Sequence, residues 1–367
     1  MSASEHSIIG FITLSIIIGL FLWVGKSRAR YRQLLWGLTA ATFVLVVLGA
    51  YVRLADAGLG CPDWPGCYGN LTPAQSKDVI IAAQEASPHG PVSMPKAWKE
   101  MIHRYLAMLV GAGIAAVMFA AWRNRRAFKQ SPLHATVLAF SVIWQAALGA
   151  WTVTMLLKPA IVTSHLLGGM TVLALLAWLS LRQSTGSGDF ALYQSKAKSL
   201  GRTPAHNAWL PRIAFLALAV VIVQIALGGW VSTNYAALAC ADFPTCNGKL
   251  MPDNLNFADA FHVLRPLGMT AKGELLSMDS LRAIHWLHRV GALIVTLVLL
   301  GFAWQLWRAK LRVDSIAVVT MLSLQVFIGI GNVVWSLPLP LAVAHNASAA
   351  ALLLCMLWVT RRVHGAT

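Results

Sequence analysis

The sequence predicts an all-α integral membrane protein: two parallel-repeat four-helix bundles preceded by one extra N-terminal transmembrane helix, about nine spans in all. Three observations carry that prediction. The 367 residues are 57% hydrophobic and only 11% charged, with a mean hydropathy of +0.65, and a soluble domain of this length needs far more charge to cover its surface. Nine apolar stretches reach the roughly 20 residues that a helix needs to cross a bilayer. The chain also repeats itself: Cys240 and Cys246 stand 179 positions after Cys61 and Cys67.

In order, the stretches run over approximately 8–24, 34–52, 102–122, 134–156, 161–181, 212–233, 284–307, 315–336 and 341–360. The first has no basic leader and is followed by basic residues, which reads as a span rather than a signal peptide. The formal net charge of +16 is unevenly placed. Lysines and arginines gather after the first, third, fifth and seventh stretches and in the tail: Lys26, Arg28, Arg30, Arg32; Arg123, Arg125, Arg126, Lys129; Arg182, Lys196, Lys198, Arg202, Arg212; Arg308, Lys310, Arg312; Arg361, Arg362. Only Asp189 and Asp314 accompany them. By the positive-inside rule those segments and the C-terminus are cytoplasmic. The N-terminus, the two cysteine loops and two tight turns then lie on the periplasmic side of a bacterial inner membrane. The basicity orients the protein and calls for no nucleic-acid partner. Four of the five cysteines fall on the oxidising side, where disulfides persist; Cys355 packs inside the last helix as a small apolar residue.

The duplication extends beyond the cysteines. Leu48-Gly49 matches Leu227-Gly228, Asp63 matches Asp242, Gln145 and Gly149 match Gln325 and Gly329, His103-Arg104 matches His288-Arg289, and His165 matches His345. Both halves start on the same face, so the repeats are parallel. The expected division is an extra helix and cytoplasmic loop over 1–33, an N-terminal bundle over 34–182, a Ser-, Gly- and Lys-rich linker over 183–211, and a C-terminal bundle over 212–362.

Of the eleven histidines, His6, His89, His206, His262 and His364 read as loop or tail residues, and His134 as the start of a helix on the inner side. His103, His165, His285, His288 and His345 fall within helices, where ionisable groups are costly and usually functional. His103 and His288 are expected to open helices entering from the cysteine loops. His165 and His345 follow Pro159 and Pro340 by six and five residues, or roughly 8–9 Å along a helix. Four histidines at one level, two per bundle, suit the axial ligation of two haem irons. A zinc site would want three or four ligands, with carboxylate or thiolate among them. Arg104 and Arg289 are positioned to pair with haem propionates.

The halves differ at one informative place. "EMIHR" carries Glu100 three residues before His103, whereas "HWLHR" carries His285 at the equivalent position. Residues three apart share a helix face, so both are expected to face the same pockets as the histidines. A carboxylate can move protons or stabilise developing positive charge. One bundle therefore reads as reactive and the other as an electron-transfer or structural site.

The "GLGCPDWPGCYG" loop, "ExxHR" at Glu100–Arg104, "TSHLLGG" around His165, "HWLHR" and "AHNASAA" around His345, in order and in both halves, resemble the haem A synthase family over roughly residues 36 to 362. The helix over 8–24 departs from the usual eight-helix pattern. The resemblance implies oxidation of a methyl group of haem O to the formyl group of haem A through two hydroxylations and loss of water, for cytochrome oxidase assembly. It also implies substrate haem in the N-terminal bundle, served by Glu100, His103 and His165 with Arg104 nearby, and a haem b cofactor in the C-terminal bundle, held by His288 and His345 with His285 and Arg289 nearby. Implied partners are haem O, the haem O synthase that makes it, a membrane electron acceptor such as a quinone, and a homo-oligomer partner. Disulfides Cys61–Cys67 and Cys240–Cys246 would shape lids over the haems, or exchange electrons. The competing readings are a dihaem b-type membrane cytochrome in quinol-linked electron transfer and a parallel-repeat transporter. A transporter would place its ionisable residues near the bilayer midplane.

Overall fold

A computed structural model describes the backbone of residues 3–128, 131–184 and 209–365 and the side chains of 7–128, 131–183 and 209–364. Most of the linker expected over 183–211 lies outside the described residues, as do Lys129, Asp189, Lys196, Lys198, Arg202 and His206. The described residues form eleven helices: α1 (Ala3–Val24), α2 (Arg28–Leu54), α3 (Lys77–Ala86), α4 (Met94–Arg123), α5 (Leu133–Thr154), α6 (Pro159–Ser184), α7 (Trp209–Thr233), α8 (Phe257–Ala260), α9 (Met278–Arg308), α10 (Arg312–Val334) and α11 (Leu339–Gly365). All but α3 and α8 are long and apolar enough to cross a membrane. The described residues contain no β-strand, only isolated bridges.

The helices overrun the apolar stretches. α4 begins at Met94, where the Ser93 side chain accepts from the Lys96 N–H, and α9 begins at Met278, where Ser277 accepts from Ser280 N–H. Each cap stabilises its helix by about 1 kcal/mol. Their first turns are polar and invisible to a hydropathy reading. As a result His103 and His288 lie nine and ten residues inside their helices rather than opening them. His6 and His364, read as tail residues, belong to α1 and α11. The cysteine loops also hold unexpected helix: α3 buries Ile80 and caps the first loop.

The chain divides into two compact units, 1–180 and 181–367. In the first, α2, α4, α5 and α6 form the bundle, and α1 packs chiefly along α4. Gly25, at φ +51°, makes the sharp turn between α1 and α2, and Asn124 donates to its carbonyl at 2.8 Å. α1 otherwise presents apolar side chains outward, with Phe11 72% and Leu22 68% exposed, as a lipid-facing helix does. In the second unit α7, α9, α10 and α11 close a ring of contacts. Arg362 of α11 pairs at 3.1 Å with the buried Asp314 of α10.

Packing is one-sided along both bundles. The first core joins Tyr31, Leu35 and Leu38 of α2, Val110 to Ala121 of α4, Ala135 and Leu138 of α5, and Val172 to Leu179 of α6. The second joins Leu210 to Val221, Val295 to Leu306, Val318 and Leu322, and Leu352 to Val363. Every one of these segments lies in the half of its helix away from the cysteine loop. The apolar cores therefore stop short of the level at which the histidines stand.

Candidate functional site

Each of the four histidines is seated against a glycine of a neighbouring helix. A methyl group placed on Gly49 of α2 would stand 3.0 Å from the Cε1 of His103 on α4. The corresponding distances are 3.1 Å for Gly149 and His165, 3.1 Å for Gly228 and His288, and 3.0 Å for Gly329 and His345. Only a residue without Cβ lets these rings lie so close to the adjacent backbone. The rings are half-buried, and in each unit the pair lies within electrostatic reach: His103 with His165, His288 with His345.

Glutamines support three of the rings. Gln145 Nε2 reaches His165 Nδ1 at 3.0 Å and donates to the His165 carbonyl at 2.6 Å. Gln224 does the same for His288, at 3.0 and 2.9 Å. Gln325 meets His345 Nε2 at 3.3 Å and is itself held by the Ser348 hydroxyl. His103 Nδ1 is buried without a partner.

Above the histidines each cysteine loop is folded into the same knuckle. Cys61 is bonded to Cys67 and Cys240 to Cys246, and Cys355 is free. Asp63 accepts from the Tyr68 and Gly69 N–H groups at 2.6 and 2.7 Å. Asp242 likewise accepts from Asn247 and Gly248, and from the Thr245 hydroxyl. Those hydrogen bonds, Thr245 foremost, hold the Asp242 carboxyl down to about 2 from its ordinary 3.8. The residues after the second cysteine, Tyr68 and Asn247, sit at φ 51° and 55° and turn the chain back. Gly60 touches the α4 backbone, where a Cβ would stand 2.7 Å from Ala97 N.

The arginines beside the histidines clamp these knuckles. Arg104 Nη1 donates to the carbonyls of Asp63 at 2.8 Å and Gly66 at 2.5 Å. Arg289 donates to the carbonyls of Asp242, Thr245 and Cys240 at 2.8, 2.7 and 2.9 Å. Glu100 and His285 complete the clamps from equivalent positions. Glu100 accepts from the Cys61 N–H at 2.9 Å and from Arg104 at 2.6 Å. His285 lies with Nδ1 3.4 Å from the Cys240 N–H and Nε2 3.2 Å from Arg289 Nε, and a neutral imidazole accepts from one of the two, whereas a carboxylate accepts both.

These positions show what else the four side chains hold. Glu100 and His285 turn toward the knuckles, because a buried acceptor three residues from the histidine takes the nearest N–H donors. Arg104 and Arg289 direct their donors to loop carbonyls, which would otherwise be buried unpaired. Among the described residues no cluster of three or more His, Cys, Asp or Glu side chains is placed to hold a bare metal ion; the histidines come as pairs.

The COX15-CtaA family model, described as cytochrome oxidase assembly protein, matches residues 32–357. The chain belongs to the COX15-CtaA family. The match begins in α2, so α1 lies outside it. Among similar proteins, the Heme A synthase of Shewanella oneidensis is 40% identical over 331 residues, which is 89% of this chain and 96% of its own length. The Heme A synthase of Maricaulis maris is 24% identical over 368 residues, covering 92% and 97%. That of Shouchella clausii is 26% identical over 304 residues, covering 81% and 82%.

Seen as a COX15-CtaA protein, the chain places each predicted residue at the cysteine-loop end of its bundle. The sequence reading matched Gln145 to Gln325 without giving either a role, and it passed over Gln224 and the ring-facing use of the glycines. A signal for them exists: Gln-x-x-x-Gly occurs at 145–149, 224–228 and 325–329, and residues four apart share a helix face.

Proposed function

We propose that this protein is a haem A synthase, oxidising a methyl substituent of haem O to the formyl group of haem A for cytochrome oxidase biogenesis. The observation that carries the reading is the fourfold recurrence of a histidine seated on a glycine, two per bundle, at the cysteine-loop end of each bundle and beyond its main apolar core. The residues suit a haem: paired imidazoles on different helices, with buried ring nitrogens of His103 and His345 lacking protein partners. When bound, haem supplies the redox chemistry that no side chain here has. The protein's own part is to ligate, to orient and to close the site against water beneath the disulfide knuckles.

The N-terminal bundle, with His103 and His165, is assigned the substrate haem, and the C-terminal bundle, with His288 and His345, a haem b cofactor. Glu100 supports the assignment, because it gives the first bundle an ionisable oxygen acid where the second has an imidazole. In this reading Glu100 is the acid–base group, and the electrons leave to a membrane acceptor of the quinone class. The basic segments favour a cytoplasmic C-terminus, with both knuckles on the periplasmic side of the inner membrane.

Coexpression with a source of haem O, followed by extraction and chromatography of the haems, tests the activity: haem A should appear. A dihaem cytochrome would return haem b alone. His288→Ala or His345→Ala should remove a low-spin haem b signal, while His103→Ala and His165→Ala should spare it and stop haem A formation. Equal bleaching by all four substitutions would reject the division between bundles.

A further inference from the structure

The four histidine seats are not equal. Gln145, Gln224 and Gln325 each stand four residues before the glycine that receives a ring, and each reaches the histidine on the facing helix. The fourth glycine, Gly49, is preceded at that distance by Leu45. The residue three positions after each histidine follows the same division. It is Gly168, Gly291 or Ser348 where a glutamine is present, and Leu106 after His103. The relation is steric: a Cβ at Gly168 or Gly291 would overlap the Oε1 of Gln145 or Gln224. Ser348 instead donates its hydroxyl to Gln325. At His103 two leucines occupy both positions; Nδ1 is buried without a partner there, as is that of His345, but His345 has Gln325 on its Nε2.

We propose that Gln145, Gln224 and Gln325 are positioning residues that lock three of the four imidazoles, and that His103 is the exchangeable ligand through which the N-terminal bundle takes up haem O and releases haem A. This rests on the reading of the four histidines as haem ligands, with substrate in the N-terminal bundle. At His165 and His288 one amide holds both the ring and the backbone carbonyl; at His345 the amide meets the ring alone and Ser348 holds the carbonyl, and either arrangement restricts the side-chain torsions. Partners that accept the free ring N–H of a ligating imidazole are worth roughly 10–100-fold in the affinity of a ligated centre, a role these glutamines fill with the amide oxygen turned to the ring. Both ligands of the C-terminal bundle are gripped, which suits a resident cofactor. The N-terminal bundle has one gripped ligand, His165, and one ungripped, so haem can part from His103 while His165 holds it. Substrate and product must pass through this bundle and not the other, and the leucines occur only there.

The test is haem transfer from the purified protein, loaded with haem O and haem b, to excess apomyoglobin. The transferred haem is identified by reversed-phase chromatography, which separates haem O by its hydrocarbon tail. In the wild type, haem O should leave faster than haem b. Gln224→Leu should speed haem b release by about 10–100-fold and shift its low-spin spectrum, leaving haem O release unchanged. The double change Leu45→Gln with Leu106→Gly should slow haem O release about tenfold or more. Should that variant fail to fold, Gln145→Leu in the same bundle must speed haem O release. Equal release of the two haems in the wild type, or a Gln224→Leu protein with unaltered haem b release, overturns the proposal. His103→Ala and His165→Ala separate the two levels. If both keep low-spin haem O, the ligand reading fails. If both lose it while the glutamine variants change nothing, only the present inference fails.

Discussion

At the scale of single residues, the exchange of Glu100 for His285 between otherwise matching clamps is the sharpest difference between the two halves. Both lie between the N–H of the first knuckle cysteine and the arginine four residues on, Glu100 accepting both bonds and His285 able to accept one. The second knuckle folds the same way with an imidazole at this position, so the carboxylate in one bundle alone calls for a chemical reason. Glu100→Gln keeps an oxygen for the Cys61 N–H but removes the proton acceptor. Acid–base contributions are typically about 10²–10⁴-fold. Haem A should fall by that order, with haem O or a hydroxylated intermediate accumulating, while His285→Gln has a far smaller effect; chromatographic haem ratios measure both. Asp242 gives a pH dependence outside the membrane. Its folded carboxyl titrates near 2 against an ordinary 3.8, so the charged form is favoured in the knuckle. That stabilisation is complete above about pH 4 and is lost as pH falls through 2. Hydrogen exchange at Asn247 and Gly248 should stay protected down to about pH 4 and weaken below it, and Asp242→Asn should remove the dependence. Histidine and arginine identities were legible in sequence. The arginines' partners were not, since the carbonyls they bind converge only once the knuckle has folded.

At the scale of helices, hydropathy located the nine spans found among the described residues yet misjudged their ends. Serine caps and polar first turns extend α4 and α9 beyond the apolar stretch, and α3 is too short and charged to register as anything but loop. The interhelical glycines are a different case, visible as letters but not as contacts. A methyl at Gly228 or Gly329 would stand at 3.0–3.1 Å from a ring carbon, so the imidazole or the helix must yield by a few tenths of an ångström. Gly228→Ala and Gly329→Ala are expected to lower haem b content or broaden its low-spin spectrum, read by pyridine haemochrome and absorption. Gly49→Ala and Gly149→Ala should leave that signal intact and reduce haem O retention instead.

For the whole molecule, the repeat was legible because cysteines, histidines and glycines recur at nearly constant intervals, and membrane insertion was legible from composition. The one-sided cores were not, because Val, Leu and Ala are as common beside the histidines as away from them; only the packed structure shows which are buried. Alkylation without reductant followed by mass spectrometry should find Cys61, Cys67, Cys240 and Cys246 blocked and Cys355 reactive once the protein is unfolded. Thiol reactivity at all five positions would count against the bonded knuckles.

Each clamping arginine is the very next residue after a ring-bearing histidine, with no compliant segment between them. Movement of a knuckle is thus delivered to the histidine backbone as through a rigid lever. When the arginine lets go of the loop carbonyls, the helix turn that carries it loses one of its contacts with the knuckle. Opening of the N-terminal knuckle and loosening of His103 are then expected to be coupled. Haem O transfer and the exposure of the Cys61–Cys67 loop to a protease should consequently share one temperature dependence.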